Sequence, residues 1–202
     1  MNTPMTLVGL TVCLAISGQA VAQAAGNPAM PALLNQSPAL AAPHSLRVAS
    51  PAYGRGGAIP LANSSYGASL SPPLRISGAP GRTRTFAIVM EDADAQHDGA
   101  PILHWMAYDA PASLPGGLPA GESITAPVGL RQGRNIAGQY AYRGPHPSPS
   151  SGAHHYHLEV FALDAPIPEA QDRNTLAEAM AGHVLAQGEL VGVFAAPKPA
   201  TP

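Results

Sequence analysis

The stretch Phe86-Ala87-Ile88-Val89-Met90 is the clearest strand signal in the chain, and the acidic run Glu91–Asp94 follows it directly. Consecutive apolar residues with β-branched and aromatic members predict a strand. Successive side chains of a strand alternate between its two faces. If the strand continues regularly, the side chains that share one face are Phe86, Ile88, Met90, Asp92 and Asp94. Two carboxylates are therefore expected at the end of a core-facing row.

Short strands separated by turn signals continue on both sides of this stretch. The further predicted strands are Ser45–Ala49, Ile102–Tyr108, His155–Leu163 and Glu189–Phe194. One helix is predicted near the C terminus, where Thr175 and Glu178 form a capping box and Gly182 ends the helix. The chain has 23 prolines and 21 glycines with no repeating period, which is typical of a fold with many turns. The pattern predicts a mainly β protein, an antiparallel two-sheet sandwich with a short C-terminal helical element.

The first residues are typical of an export signal. Leu7–Ile16 is an uncharged apolar run, shorter than the roughly 20 residues that cross a bilayer. Small residues at Ala20–Ala22 fit a cleavage site before Gln23, and a second site fits before Ala25. Residues 1–24 are therefore predicted to be a signal peptide, and the protein is predicted to be periplasmic or secreted. A non-cleaved membrane anchor is the alternative.

The rest of the chain divides by composition. Residues 25–44 are rich in alanine and proline, carry no charge and are predicted to be a mobile linker. Residues 45–196 are predicted to form one domain, followed by a tail at 197–202. Cys13 is the single cysteine and lies in the apolar run, so the mature chain would have no thiol for disulfides, catalysis or metal binding. A formal net charge of −2 argues against nucleic acid or an acidic membrane surface as a partner.

Polar side chains also fall on core-facing rows of two other predicted strands. On the second strand the row contains His104, Met106 and Tyr108, and on the third it contains His154, Tyr156, Leu158 and Val160. A polar group on such a face costs free energy unless it is paired. Several of them at strand ends indicate a shared polar pocket. Each also has an ordinary structural explanation, as a solvated strand-end aspartate, a structural histidine or a core tyrosine.

Metal binding and nucleophilic catalysis are weaker hypotheses. Four histidines lie close in sequence, at positions 146, 154, 155 and 157, and histidine with carboxylate suits zinc or iron. Adjacent histidines, however, point to opposite faces of a strand, and no HExxH pattern occurs. No metal site is therefore predicted, and bound metal is not expected to be needed for folding. The chain also has no GxSxG nucleophile motif.

Four blocks of sequence together resemble the phosphatidylethanolamine-binding protein family, in particular its bacterial Raf kinase inhibitor-like branch. The blocks are Ser71–Leu74 (SPPL), Glu91–Ala95 (EDADA), His104-Trp105 (HW), and Gly144-Pro145-x-Pro147 followed by Gly152-x-His154-x-Tyr156. The closing segment from His183 to Gly192 is also similar. The resemblance extends from about Ser45 to Phe194. It implies two antiparallel sheets packed face to face, with a small pocket at one end for phosphate-like anions or phosphorylated head groups.

The resemblance assigns the pocket residue by residue, without a cofactor. The ligand-binding residues that it implies are Asp92, Asp94, His104, Pro145, His146, His154 and Tyr156. The chain departs from the family pattern at Ala93 and Ala95, where the family has prolines, and at His155, where it has arginine. Ile102 stands where an aromatic residue is frequent. These departures leave the preferred ligand open.

The predicted function is that of an exported binding protein for a small anionic or phosphorylated ligand, without nucleic-acid binding or stable membrane insertion. An inhibitory or signalling role through a protein partner is a variant of this prediction, and the sequence does not identify that partner. The alternative is a hydrolase that uses an Asp/His pair as acid and base in the same pocket.

Overall fold

The computed structural model describes residues 32–198 and contains two β-sheets. Within these residues the strands are β1 (His44–Ser45), β2 (Arg47–Ala49), β3 (Gly57–Ala58), β4 (Leu74–Ser77), β5 (Thr85–His97), β6 (Ala100–Ala110), β7 (Ser113–Leu114), β8 (Arg131–Gln132), β9 (Ala153–Leu163) and β10 (Val184–Ala195). The helix α1 spans Arg173–Met180, and 3-10 turns span Leu34–Gln36, Pro38–Leu40 and Leu61–Asn63. The predicted signal peptide lies outside the described residues.

The larger sheet has the order β1-β10-β9-β5-β6-β8, and β3 also pairs with β10. Its long strands β5, β6, β9 and β10 are antiparallel, whereas the two-residue strands β1 and β3 run parallel to β10. The turn between β5 and β6 contains Asp98 and Gly99, both with positive φ, as a tight hairpin requires. The smaller sheet has the order β2-β4-β7. The predicted two-sheet, mainly β fold is confirmed.

The main core lies between the two sheets. Phe86, Ile88 and Met90 of β5 point into it, as the alternation of the sequence predicts. Tyr156, Leu158 and Val160 of β9 do the same. The smaller sheet contributes a matching row, which consists of Val48, Leu74 and Ile76. These alternating rows fix the ends of β5 and β9, and with them Asp92 and His154, at one end of the sandwich.

A second core covers the opposite face of the larger sheet. There Ala87 and Val89 of β5 pack with Leu176 and Met180 of α1. The segment of residues 32–43 completes this core: Leu34 and Leu40, from its two 3-10 turns, are both buried there. This packing corrects the expectation of a mobile linker for the described part of residues 25–44. The leucines of this alanine- and proline-rich stretch indicate a packed segment, which its overall composition does not show.

Strand β6 does not alternate as predicted. Met90 pairs with Trp105 and Glu91 pairs with Leu103, so the register passes over His104. Such a bulge places an extra residue in one strand and changes which side chains share a face. Met106 and Tyr108 therefore lie in the second core, and Trp105 lies in the core between the sheets. The prediction that His104, Met106 and Tyr108 share a face is wrong.

The helix also begins earlier than predicted. Its N-cap is Asp172, whose side chain accepts a hydrogen bond from the Thr175 backbone N–H at 2.9 Å. Thr175 Oγ1 in turn accepts from the Asp172 backbone N–H at 3.0 Å, which completes a capping box. Thr175 is thus the third residue of the helix rather than its cap. Among residues 32–198, no helix has the length and apolar character needed to cross a membrane.

Candidate functional site

A cavity of about 380 Å³ opens at the end of the sandwich where β5 finishes and β9 begins. The loop before β9 forms its rim. The residues that line it are Asp92, Ala95, Ile102, His104, Ile136, Arg143, His146, Pro147, Ser148, Ser151 and His154. Four of the seven predicted site residues are in this lining, namely Asp92, His104, His146 and His154. The structure therefore brings together side chains from two strand ends, a bulge and a loop.

Asp92 and His154 form a close pair on one wall of the cavity. His154 Nδ1 lies 2.8 Å from Asp92 Oδ2, and their side chains are only 11% and 4% exposed. The other carboxylate oxygen, Oδ1, accepts the Asp94 backbone N–H at 2.9 Å. Because Nδ1 of His154 is engaged by the carboxylate, Nε2 is the ring nitrogen left for a ligand. Both oxygens of the Asp92 carboxylate are thus engaged by hydrogen bonds within the protein.

His104 enters the cavity because of the bulge in β6. Its Nδ1–H donates to the Arg143 carbonyl at 2.9 Å, and its own carbonyl accepts the Arg143 backbone N–H at 2.9 Å. Burial lowers the pKa of the His104 imidazole below its ordinary value of 6.5, and the opposing effects of the Arg143 carbonyl and Asp92 do not reverse this. His104 is therefore neutral near pH 7, with an unprotonated Nε2.

Tyr156 is buried directly behind the two histidines. Its ring meets His104 edge-on at 5.1 Å between centroids and stacks on His154 at 6.4 Å. Burial raises the pKa of its hydroxyl, and the charge of Asp92 raises it further, so Tyr156 stays protonated. Among residues 32–198 its hydroxyl has no hydrogen-bond partner. Tyr156 therefore packs against both histidine rings, and its hydroxyl is available to donate a hydrogen bond beside the cavity.

Arg143 is a cavity residue that sequence reasoning missed. Its half-buried side chain lines the cavity and makes no ion pair or hydrogen bond with the rest of the described chain. Arg143 immediately precedes the Gly144-Pro145-x-Pro147 block, so its position next to this motif is the sequence signal that could have identified it. An arginine keeps its charge at every physiological pH. Arg143 therefore gives this cavity a permanent cation. The sequence alone had not indicated one, because His155 stands where the family has an arginine.

The rim of the cavity is held against residues 61–69. Gly144 allows this contact because a Cβ there would lie 2.6 Å from the Asn63 carbonyl oxygen. Pro145 is buried, and its carbonyl accepts the Ser65 N–H at 3.0 Å, so it anchors the rim and does not line the cavity. His146 stacks on Tyr66 with ring centroids 4.7 Å apart. Of the two predicted loop residues, Pro145 therefore anchors the rim and His146 lines the cavity.

Asp94 does not join the cavity. The pairing of β5 with β6 becomes irregular between Asp92 and Gln96, so the alternation that placed Asp92 inward does not extend to Asp94. Its carboxylate is 42% exposed and accepts both the backbone N–H and the Nδ1–H of His155, at 2.6 and 2.8 Å. Partial burial alone would raise the pKa of Asp94, but these hydrogen bonds lower it. Asp94 and His155 form an outward-facing pair.

The cavity holds fewer acidic side chains than the sequence suggested. Its lining contains one carboxylate, Asp92, which is hydrogen-bonded to His154, while the guanidinium of Arg143 has no ion-pair partner within residues 32–198. No three histidine, cysteine or carboxylate side chains of residues 32–198 are grouped closely enough to hold a metal ion.

The two serines of the lining make hydrogen bonds within their own loop. Ser151 Oγ donates to the Ser148 carbonyl at 3.0 Å, and Ser148 Oγ lies 3.2 Å from Ser150 Oγ. In the described chain, neither hydroxyl is hydrogen-bonded to a histidine that could activate it.

Comparisons with other proteins agree with the fold and the motifs. A profile of the phosphatidylethanolamine-binding protein family matches residues 49–195. A UPF0098 protein of Pyrococcus horikoshii is 36% identical over 154 residues, which cover 74% of this chain and 76% of that protein. A UPF0098 protein of Chlamydia pneumoniae is 35% identical over 155 residues, which cover 74% of this chain and 98% of the relative.

Solved structures give the same result. A phosphatidylethanolamine-binding protein homologue from Chlamydia trachomatis superposes with a TM-score of 0.67 at 27% identity, over 76% of this chain and 99% of its own. Escherichia coli YbcL, described as a member of the mammalian family, superposes with a TM-score of 0.64 at 26% identity, with the same coverage. The chain therefore belongs to the phosphatidylethanolamine-binding protein family.

Proposed function

We propose that this protein is a binding protein whose cavity takes a small anion or the phosphate of a phosphorylated head group. The observation that carries the proposal is the charge balance of the cavity. Asp92 is hydrogen-bonded to His154, Asp94 faces outward, and the guanidinium of Arg143 has no partner among residues 32–198. Arginine donates in a fork that matches phosphate oxygens. A bound phosphate would therefore supply the negative counter-charge that the Arg143 guanidinium lacks.

The other cavity groups suit the same ligand. Nε2 of His104 and Nε2 of His154 make no hydrogen bond within residues 32–198, and Nε2 of His104 can donate to an oxyanion when its imidazole is protonated. The Tyr156 hydroxyl is a donor without a partner in the described chain. An ammonium group attached to the phosphate would find Asp92 as its nearest acid in the lining. These features support a zwitterionic phosphoester such as phosphoethanolamine, as well as free phosphate.

Binding is favoured over hydrolysis by the same geometry. The Asp92–His154 pair could serve as an acid and base, but an activated nucleophile requires a hydrogen bond between nucleophile and base. Neither Ser148 nor Ser151 makes one. We also propose, from the apolar run at the N terminus, that the protein is exported and meets its ligand in the periplasm or outside the cell. A role as an inhibitor of a protein partner would use the surface around the cavity.

Calorimetric titration with phosphate and phosphoethanolamine tests the proposal. Replacing Arg143 with glutamine should weaken binding by about 1.5–3 kcal/mol, the range for a hydrogen bond to a charged group. His104→Ala should weaken it by a similar amount while the fold survives, because both side chains line a cavity. Arg134→Gln is the matched control, since Arg134 lies outside the cavity and stacks on Tyr140. Equal affinity in all four proteins, or measurable turnover of phosphoesters, would reject the proposal.

A further inference from the structure

The segment of residues 32–43 is attached to the larger sheet through two buried carboxyl groups. Glu91 Oε2 accepts the Leu34 backbone N–H at 2.9 Å, and Glu159 Oε2 accepts the Asn35 backbone N–H at 2.6 Å. Both glutamates are fully buried. A buried carboxyl group costs free energy unless it is hydrogen-bonded, so the two glutamates and the segment depend on each other.

Further contacts extend this attachment to four elements of the fold. Asn35 Nδ2 donates to Glu189 Oε2 of β10 at 3.2 Å, and Arg173 of α1 donates to the Ala32 carbonyl at 2.8 Å. Together with the two glutamates of β5 and β9, these contacts join the segment to three strands and the helix. The segment precedes residues 49–195, which match the family profile. Membership of the family therefore does not explain why it is there.

The segment lies behind one wall of the ligand cavity. Glu91 and Asp92 are consecutive in β5, and successive side chains of a strand point to opposite faces. Asp92 lines the cavity, and Glu91 holds Leu34 on the other face of the sheet. The pairing of β5 with β6 is irregular on both sides of these two residues, between Met90 and Glu91 and between Asp92 and Gln96. The ladder to β6 therefore supports this strand end poorly, and the segment supports it from the opposite face.

A second connection between the segment and the cavity passes through the bulge of β6. Leu103 belongs to the same core as Leu34, and it immediately precedes His104, which lines the cavity. The Leu103 carbonyl accepts the Ile136 backbone N–H at 2.9 Å, and Ile136 is also part of the cavity lining. The core that the segment completes therefore supports both a histidine and an apolar side chain of the cavity.

We propose that Leu34 and Asn35 are positioning residues for the ligand cavity, so that docking of the segment and binding of an anion strengthen each other. Neither residue lines the cavity, and each acts through a glutamate on a strand that also carries a cavity side chain. Ordering a strand end from one face lowers the entropic cost of ordering it from the other. The coupling is reciprocal: the factor by which the docked segment raises anion affinity equals the factor by which the anion holds the segment in place.

The inference rests on the proposed function, and Asn35→Pro tests it in the whole chain. Proline has no backbone N–H, so Glu159 loses its donor, while the φ of a 3-10 turn suits proline. Phosphate affinity measured by calorimetry should fall at least about fivefold, the lower end of the usual range for coupled sites. Asn35→Ala is the matched control, because it keeps the N–H and removes only the bond to Glu189. Its affinity should stay close to that of the wild type.

A second control separates positioning from lost stability. Ile167 is buried in the same core but lies outside the segment. Ile167→Ala should therefore lower the melting temperature and leave the phosphate affinity of the folded protein unchanged. A loss of affinity in Ile167→Ala as large as in Asn35→Pro would show that any damage to this core weakens the cavity, and it would overturn the inference.

Hydrogen exchange of the wild type measures the reciprocal effect and needs no variant. Saturating phosphate should slow exchange of the Leu34 and Asn35 amides at least about fivefold. The Gly121 amide, which donates to the Tyr140 carbonyl in a loop outside the cavity lining, should not respond. Phosphate binding without slower exchange at Leu34 and Asn35 would contradict the coupling.

The ring signals of His104 and His154 in NMR spectra of the ligand-free protein distinguish this inference from the proposed function. Asn35→Pro should shift these signals and Asn35→Ala should not, whether or not phosphate binds. If the wild type bound no phosphate, the proposed function would fail and the histidine signals would still decide the positioning role. Identical histidine signals in Asn35→Pro and the wild type, or equal phosphate affinity in two proteins that bind it, would overturn the inference.

Discussion

His154 Nδ1 lies 2.8 Å from Asp92 Oδ2, on one wall of a cavity whose permanent cation, Arg143, has no partner within residues 32–198. Both carboxylate oxygens of Asp92 already accept hydrogen bonds from the protein, from His154 and from the Asp94 backbone N–H. The carboxylate therefore orients the imidazole, while the Arg143 guanidinium remains available to a ligand. An aspartate–histidine pair also fixes which ring nitrogen faces the ligand.

The pH dependence of sulfate binding should report the protonation of His104. Burial lowers the pKa of free His104 below 6.5, and a bound anion would raise it, so binding takes up a proton. Between these two pKa values affinity should fall by up to about tenfold per pH unit as pH rises. Sulfate is a clean probe because it does not titrate in this range. Calorimetry in buffers of different ionisation enthalpy should show the uptake in the wild type, and its persistence in His104→Ala would contradict this role.

Removing the hydroxyl of Tyr156 should affect the ligand and not the fold. Because this buried hydroxyl has no partner in residues 32–198, Tyr156→Phe should leave the melting temperature unchanged or raise it. Phosphate affinity should fall by about 0.5–1.5 kcal/mol if the hydroxyl donates to the anion. Tyr142→Phe is the matched control: Tyr142 donates to the Asn63 carbonyl at 2.7 Å, so its loss should lower stability and leave affinity intact. The opposite pattern in the two variants would exclude Tyr156 from the site.

A second prediction about pH concerns stability. Glu159 is buried, and both its burial and the neighbouring Glu91 raise its pKa well above the ordinary value. Its Oε2 accepts the Asn35 backbone N–H at 2.6 Å, and Glu91 Oε2 accepts the Leu34 N–H at 2.9 Å, so the two acids hold the segment of residues 32–43. Arg173 pairs with Glu91 at the same place.

Because the unfolded chain releases the Glu159 proton at lower pH than the folded chain does, the folded state binds more protons above about pH 4.5. The contribution of Glu159 to stability should therefore be greatest below that pH and should fall, by up to about 1.4 kcal/mol per pH unit, until the folded pKa is passed. Glu159→Gln should abolish this fall and raise the melting temperature at pH 7, with little effect at pH 4. Glu189→Gln is the control, since Glu189 pairs with His157. Equal behaviour of the two variants would contradict the assignment.

Export predicts a defined N terminus. The mature protein should begin at Gln23 or Ala25, because small residues precede both positions after a short apolar run. N-terminal sequencing of protein recovered from the expressing cells measures this directly. A chain that begins at Met1 in the membrane fraction would support the non-cleaved anchor instead.

Local alternation predicted part of the site and failed where the strands are irregular. For β5 up to Asp92, and for β9 from His154 to Val160, the sequence pattern identified the inward faces correctly because both strands are regular there. The bulge at His104 moved Met106 and Tyr108 into the other core, although His104 still reached the cavity. The irregular pairing after Asp92 sent Asp94 outward to His155. Bulges leave no mark in a hydrophobicity pattern, so these positions required the structure.

Long-range packing was the other feature that the sequence could not reveal. Leu34 and Leu40 are buried against residues such as Ala87 and Val89 of β5, about fifty residues further along the chain. The hydrogen bonds that hold this segment run from the Leu34 and Asn35 N–H groups to Glu91 and Glu159. Arg143 was missed because it lies in a loop, where no alternation of polar and apolar residues indicates which way a side chain points. The family motif did locate the neighbouring Gly144, whose close approach to Asn63 places the rim.

A crystal structure grown with phosphoethanolamine tests the central claim most directly. The proposal predicts density for the phosphate inside the cavity, within hydrogen-bond distance of the Arg143 guanidinium and Nε2 of His104, and with the ammonium nearest to Asp92. The Asp92–His154 pair should remain intact, and crystals of Arg143→Gln under the same conditions should show weaker density. An empty cavity at a saturating concentration, or phosphate bound only elsewhere on the protein, would contradict the proposal.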